Sequence, residues 1–268
     1  MTALHAFILG MVQGLTEFLP VSSSGHLLVL QKIFGITAEG DGLLLFNILM
    51  HVGTLAAVLV IYRKRIWKMI CHPIQSELKW LVLATVPAVL AALVVDFDDA
   101  FEGKFIIWSF YLTSIVLVVS GFIGDQRRRQ KKYHKDVRWY DALAMGVMQA
   151  VAILPGLSRS GSTIAGGLGS GLTRRRAADF AFLMSIPAIL GSVVLEGKDI
   201  LTGAASMAGA SAGVVLLGVI TAAVSGVLAI KFMLWVVRKV SLNWFALYTF
   251  LLGTFLLLDR YVFKMFMA

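Results

Sequence analysis

The chain reads as an all-α integral membrane protein. The expected form is a polytopic helical bundle of two inverted-topology repeats, each with three transmembrane helices and one re-entrant helix-loop-helix. Three observations carry this. Hydrophobic residues make up 59% of the 268 residues, more than a soluble domain can hold and still present a polar surface. Apolar stretches long enough to cross a bilayer as helices recur, whereas a barrel strand needs only ~9–11 residues. The same polar interruption of an apolar stretch also occurs twice, at 10–26 and at 146–163.

Leu4–Leu19 has a helical pattern, Pro20 breaks it and Leu27 resumes it. Neither arm is long enough to span alone, so the pair is a re-entrant hairpin. Leu43–Tyr62 is a full span, followed by Arg63, Lys64, Arg65 and Lys68, which place its end in the cytoplasm. Leu78–Val95 returns and ends at Asp96, Asp98, Asp99 and Glu102, an acidic loop suited to the outside. Phe105–Ile123 comes back to a linker, 124–138, with seven Lys/Arg against two Asp. The second half repeats the plan. Tyr140–Leu154 leads into the second break, which resumes through Leu172; Ala177–Leu195, Ala212–Ile230 and Trp244–Leu258 then span. Arg174, Arg175, Arg176, Arg238 and Lys239 mark the inner face. The chain is thus one membrane domain, 1–268, with a first repeat at 1–123, a basic cytoplasmic linker at 124–138 and a second repeat at 139–268. Both termini are expected outside.

The halves are also related residue by residue at an offset of 136: Gly10/Gly146, Gln13/Gln149, Ser22/Ser158, Ser24/Ser160 and Gly25/Gly161 are identical inside the breaks. Gly35/Gly171, Thr37/Thr173, Phe46/Phe182 and Thr85/Thr221 follow. Three spans per half give the halves opposite orientation, so the two hairpins enter from opposite faces and meet near the midplane. The net charge of +9 lies mostly in short loops, a topology signal that argues against nucleic-acid binding. The lone Cys71 excludes an internal disulfide. No cleavable signal peptide is evident, because no Lys or Arg precedes the first apolar run.

The two breaks hold the candidate chemistry. Glu17 is an acid inside an apolar zone, at a cost of roughly 2.5–3.5 kcal/mol if unpaired. Gln13 lies one helical turn earlier on the same face. Either the carboxyl is merely hydrogen-bonded to its neighbours, or the two offer oxygens to a hard divalent cation. Ser22, Ser23, Ser24 and Gly25 follow Pro20. They suit a helix cap, and hydroxyls beside free N–H groups also make a phosphate cradle. His26, close to the serines and the carboxylate, is a candidate general acid or base with Ser23 as nucleophile. Arg159, between Ser158 and Ser160, is a permanent charge that needs an anion; its planar fork suits phosphate, although Glu17 alone would satisfy it. Thr163 adds a further hydroxyl to that loop. His51, in mid-span, either lines the same cavity or bonds a neighbouring helix. His5, His72 and His134 carry no argument. Gly166, Gly167, Gly169 and Gly171 form no Walker loop and suit close helix packing. Arg127–Arg129 with Lys131 and Lys132 suits anionic membrane lipid.

At these residues the sequence closely resembles the undecaprenyl-diphosphate phosphatases of the bacitracin-resistance type. The first family signature is met by Gln13 to Glu17 and Phe18 to His26, the second by Pro155 to Thr163. Gln13 takes the glutamine option where the family also uses glutamate, and His51 a position that takes glutamine or histidine. The resemblance implies hydrolysis of undecaprenyl diphosphate to undecaprenyl phosphate and inorganic phosphate. That step recycles the lipid carrier for cell-wall synthesis and confers bacitracin resistance. It further implies dependence on Mg²⁺ or Ca²⁺, a homodimer, and a site in the bacterial cytoplasmic membrane opening to its outer, periplasmic face.

The rival reading from another class is a transporter or flippase of a phosphorylated polyprenyl lipid, since inverted repeats with broken helices build secondary transporters. Transport requires no nucleophile and base, so Ser23 and His26 separate the two. A phosphatidic-acid-type phosphatase would need a nucleophilic His six residues after the arginine, where Ala165 stands.

Overall fold

The computed structural model describes residues 1–36, 41–94, 105–201 and 211–266. Among these residues lie ten α-helices and no strand: α1 Ala3–Phe18, α2 Ser23–Ile33, α3 Asp41–Cys71, α4 Leu78–Val94, α5 Ile106–Arg129, α6 Trp139–Val151, α7 Arg159–Ser170, α8 Arg174–Leu201, α9 Ala212–Lys239 and α10 Asn243–Leu258. A π-helical turn, Asp259–Phe263, follows α10. Among the described residues five segments are long and apolar enough to cross a membrane: Leu45–Cys71, Ile106–Arg129, Arg174–Val194, Ala212–Lys239 and Asn243–Phe263.

Of the expected second span of the first half, Leu78–Val95, the described part is α4, with 17 residues. The acidic residues Asp96, Asp98, Asp99 and Glu102 lie outside the described residues, as does Thr37 of the Thr37/Thr173 pair. Several helices outrun their expected ends. α3 continues to Cys71 and α5 to Arg129, because Arg and Lys are good helix formers and their cations suit a helix C-terminus. The 124–138 tract therefore begins as helix. Its remainder is pinned down: His134 N donates to Gly171 O at 3.0 Å and Thr173 N to His134 O at 3.1 Å, while His134 Nε2 meets Asp141 Oδ2 at 2.8 Å. His134, which the sequence left without a role, thus ties the linker to α6 and α7.

The basic ends gather together. Glu77 pairs with both Arg65 and Arg176, Tyr62 donates to Asp179 at 2.9 Å, and Arg174 pairs with Asp125. α3, α4, α5 and α8 therefore share one charged end, at the bottom of a core that includes Phe180, Phe182, Met184 and Met233.

Packing relies on small residues. α1 lies against α9 and α3, α6 against α4 and α7, α3 against α8, and α5 against α10. A Cβ on Gly10 would strike the Gly218 carbonyl, and one on Gly146 the Ala84 carbonyl, so these backbones touch directly. α9 is correspondingly inside-out: Gly218, Ala222, Ser225 and Gly226 are buried, while Leu216, Ile220, Val224, Leu228 and Phe232 form an exposed stripe four residues apart. Lipid is as apolar as leucine, so close van der Waals packing between helices, not expulsion of large side chains from solvent, drives such contacts.

Gly10→Val is expected to abolish a monodisperse folded protein in detergent, because backbone, not a flexible side chain, blocks the new Cβ. Gly169 has nothing within 4 Å of an added Cβ, and Gly169→Ala should fold normally, with helix propensity favouring it by up to about 1 kcal/mol. Size-exclusion profiles and thermal melts of the two variants check this; a well-folded Gly10→Val would contradict the described contact.

Candidate active site

The two breaks are built alike. Ser22 caps α2, its hydroxyl accepting from Gly25 N at 3.2 Å; Ser158 caps α7 and accepts from Gly161 N at 3.1 Å. Each cap leaves first-turn N–H groups without an intrahelical partner. Ser22 holds φ 72, a left-handed conformation that costs a non-glycine residue on the order of 1–3 kcal/mol and is typical of functional sites. The first helical residues differ: Ser23 begins α2 and Arg159 begins α7. The breaks touch, since Ser160 Oγ donates to Leu19 O at 2.8 Å and Gly156 N to Ser24 Oγ at 3.3 Å.

Ser23 and Arg159 converge on one carboxylate. Glu17 is 6% exposed. Its Oε2 accepts from Ser23 Oγ at 2.6 Å and from Gln13 Nε2 at 3.0 Å, with His51 Nε2 at 3.7 Å. Its Oε1 accepts from an Arg159 guanidinium N–H. Four elements, α1, α2, α3 and α7, thus meet at one acid. In this geometry the Arg159 guanidinium is paired with Glu17, and the His51 imidazole sits beside the same carboxylate.

The remaining predicted residues are placed differently. Thr163 Oγ1 donates back to the Arg159 and Ser160 carbonyls at 2.9 and 3.1 Å and is fully buried. Ser22, Ser158 and Ser160 spend their hydroxyls on caps and on the contact between breaks, and Ser24 is exposed. Among the serines and threonine of the two loops, only Ser23 addresses Glu17. His26 does not bond Ser23. Its Nδ1 lies 2.6 Å from Ser22 O and its Nε2 2.7 Å from the hydroxyl of Tyr248 on α10. Tyr248 lies 222 residues from His26 in an unremarkable apolar segment, and no signal in the sequence points to it.

The second half lacks the acid. Ile153 stands 136 residues after Glu17. Gln149, the counterpart of Gln13, is 2% exposed and finds no partner for either amide atom.

For a divalent cation the fit is partial but adequate. Gln13 Oε1 is buried and accepts no hydrogen bond, and Glu17 supplies carboxylate oxygens beside it. No group of three His, Cys, Asp or Glu occurs among the described residues. That donor set suits a hard cation bound through one carboxylate, with substrate phosphates completing the shell.

The geometry can therefore draw a proton from a serine hydroxyl and hold an anion with an arginine. Comparison with known proteins agrees in kind. The family model for bacitracin resistance protein BacA matches residues 6–255. The undecaprenyl-diphosphatase of Carboxydothermus hydrogenoformans is 45% identical over 261 residues, covering 96% of this chain and 97% of that protein. Undecaprenyl-diphosphatase 4 of Bacillus thuringiensis subsp. konkukian is 37% identical over 262 residues, covering 96% and 97%. The undecaprenyl-diphosphatase of Syntrophotalea carbinolica is 39% identical over 266 residues, covering 94% and 97%.

Arg159→Ala strips Glu17 of its permanent counter-charge. It should destabilise the protein by about 3 kcal/mol, the usual penalty for orphaning a buried charge. Adding Glu17→Gln should recover most of the loss. Thermal unfolding in detergent checks both, and an unchanged melting temperature in Arg159→Ala would show that the pair contributes nothing to the fold.

Proposed function

The chain belongs to the bacitracin resistance protein BacA family, and from that premise we propose that it hydrolyses undecaprenyl diphosphate to undecaprenyl phosphate and inorganic phosphate. The observation that carries this is the 2.6 Å bond from Ser23 Oγ to the buried Glu17 carboxylate, with Arg159 beside it. A pure anion carrier has no use for a serine hydroxyl aimed at a base.

In the proposed first step the diphosphate draws the Arg159 fork from Glu17 onto the terminal phosphate. Ser23 Oγ attacks that phosphorus and Glu17 Oε2 takes the hydroxyl proton. The Oγ–P bond forms, the bond from phosphorus to the bridging oxygen breaks, and the lipid monophosphate leaves. In the second step water attacks phosphoserine, its proton passing to His26 Nε2 while Ser23 recovers its own from Glu17. Arg159 and the free N–H groups of the two caps stabilise the charge that builds on the phosphate oxygens. Mg²⁺ or Ca²⁺, held by Gln13 and Glu17, would neutralise phosphate charge when bound. Ser22, Gly25, Ser158, Ser160 and Thr163 set the loop shapes, and Ser24 and His51 line the approach.

The same reading places the chain in the bacterial cytoplasmic membrane as two inverted repeats with the basic linker inside and the site opening outward, acting as a dimer in lipid-carrier recycling. It is supported by five helices per half in the same order among the described residues, by the glycine contacts at Gly10 and Gly146, and by the shared basic end.

Purified protein should release phosphate from undecaprenyl diphosphate, lose activity in excess chelator and regain it with Mg²⁺ or Ca²⁺. Ser23→Ala and Glu17→Gln should each lower kcat by at least about 10²-fold, and Arg159→Lys should be nearly as poor because a point charge cannot match two oxygens. Normal turnover of Ser23→Ala would remove the covalent step. Lipid movement without phosphate release would favour transport.

A cysteine placed at 131 should be labelled by an impermeant thiol reagent only from the cytoplasmic side. Labelling in intact cells would overturn the orientation.

A further inference from the structure

His26 and Ser23 stand three residues apart but serve different partners. A carbonyl oxygen only accepts, so the 2.6 Å contact to Ser22 O places the proton of a neutral imidazole on Nδ1. Nε2 then carries the lone pair. The Tyr248 hydroxyl, 2.7 Å away, must be the donor to it. The Tyr248 ring lies nearly parallel to the imidazole, at 12° with centroids 5.7 Å apart, and Phe110 meets the imidazole edge-on at 5.6 Å and 81°. Gly25, one residue earlier, is needed for this arrangement: an added Cβ would come within 2.6 Å of Phe110 Cζ. The imidazole is thus fixed in tautomer and orientation by groups from α2, α5 and α10. Tyr248 belongs to the opposite half of the chain and to neither sequence motif.

We infer that Tyr248 is the positioning residue of His26 in the phosphatase cycle. Its hydroxyl marks the position from which the hydrolytic water must address Nε2. In the attacking step a water replaces that hydroxyl and donates to the same lone pair. As the water oxygen bonds phosphorus and the Ser23 Oγ–P bond breaks, the water proton moves to Nε2. The imidazolium then loses a proton to solvent, and the Tyr248 hydroxyl returns to the freed lone pair. Ser23 with Glu17 therefore handles the proton of attack, and His26 with Tyr248 handles the proton of hydrolysis. The assignment rests on the hydrolytic reading of the site.

The test is a double-mutant cycle on purified protein in detergent with undecaprenyl diphosphate. Tyr248→Phe keeps the stacked ring and removes only the donor. We expect kcat to fall about tenfold, because the imidazole is no longer held in the orientation from which Nε2 meets the water, with KM within about twofold and an unchanged melting temperature. His26→Ala should fall further, and His26→Ala with Tyr248→Phe should be no slower than His26→Ala alone, because the tyrosine acts only through the imidazole. A double variant clearly slower than His26→Ala would show that Tyr248 acts elsewhere and overturn the inference, as would Tyr248→Phe with unaltered kcat. Absence of phosphate release from the wild-type protein would remove the hydrolytic reading and this assignment together. Release by wild type with an unaffected Tyr248→Phe would remove the assignment alone.

Discussion

A carboxylate inside an apolar bundle has to be surrounded, and the centre of this molecule is the surround of Glu17. Water cannot reach it freely, so every lone pair must be met by protein. Gln13, Ser23, His51 and Arg159 meet it from four helices. This requirement draws both chain breaks to one point, because neither alone carries both the acid and the cation. It also explains why the breaks are sealed to each other by Ser160 on the Leu19 carbonyl and Gly156 on Ser24: a small shift between hairpins would part a buried ion pair.

The two hairpins share a frame and divide the chemistry. Ser22 and Ser158 make the same side-chain cap, three residues before Gly25 and Gly161, on different backbones: φ is 72 at Ser22 and -66 at Ser158. One half places a hydroxyl after the cap, the other a guanidinium. The second half carries Ile153 at the offset of Glu17, so the carboxylate of the cluster comes from the first loop. Gln149, at the offset of Gln13, has a buried amide with no hydrogen-bond partner. The two loops therefore share a cap hydrogen bond and differ in the residue that follows it, Ser23 in one and Arg159 in the other.

Much of this was legible in the amino-acid order. Hydrophobic periodicity located the helices, Pro20 and the serine runs located the breaks, and an arginine in an apolar zone had to find an anion. The pairing of Arg159 with Glu17 follows almost from charge alone. Helix ends were less legible, because basic residues read as loop when they continue α3 and α5. The partner of Ser23 was not legible either. Ser23 and His26 are near in sequence, and proximity suggested a pair, but the cap at Ser22 turns the imidazole toward its own carbonyl and toward α10. Tyr248 lies too far along the chain for any local pattern to connect it. Directions of side chains around a non-helical residue such as Ser22, with φ 72, are set by tertiary packing and not by spacing.

The glycine contact between α1 and α9 bears on how the molecule is made. α6 emerges when its neighbour α4 already exists, but α1 must wait: from Phe18 to Ala212 the ribosome adds 194 residues. At ~5–20 residues per second this delay is ~10–40 s. During it the nascent first helix carries Gln13 and Glu17 into the membrane with its small-residue face uncovered. α1 is thus made long before the helix that covers its small-residue face.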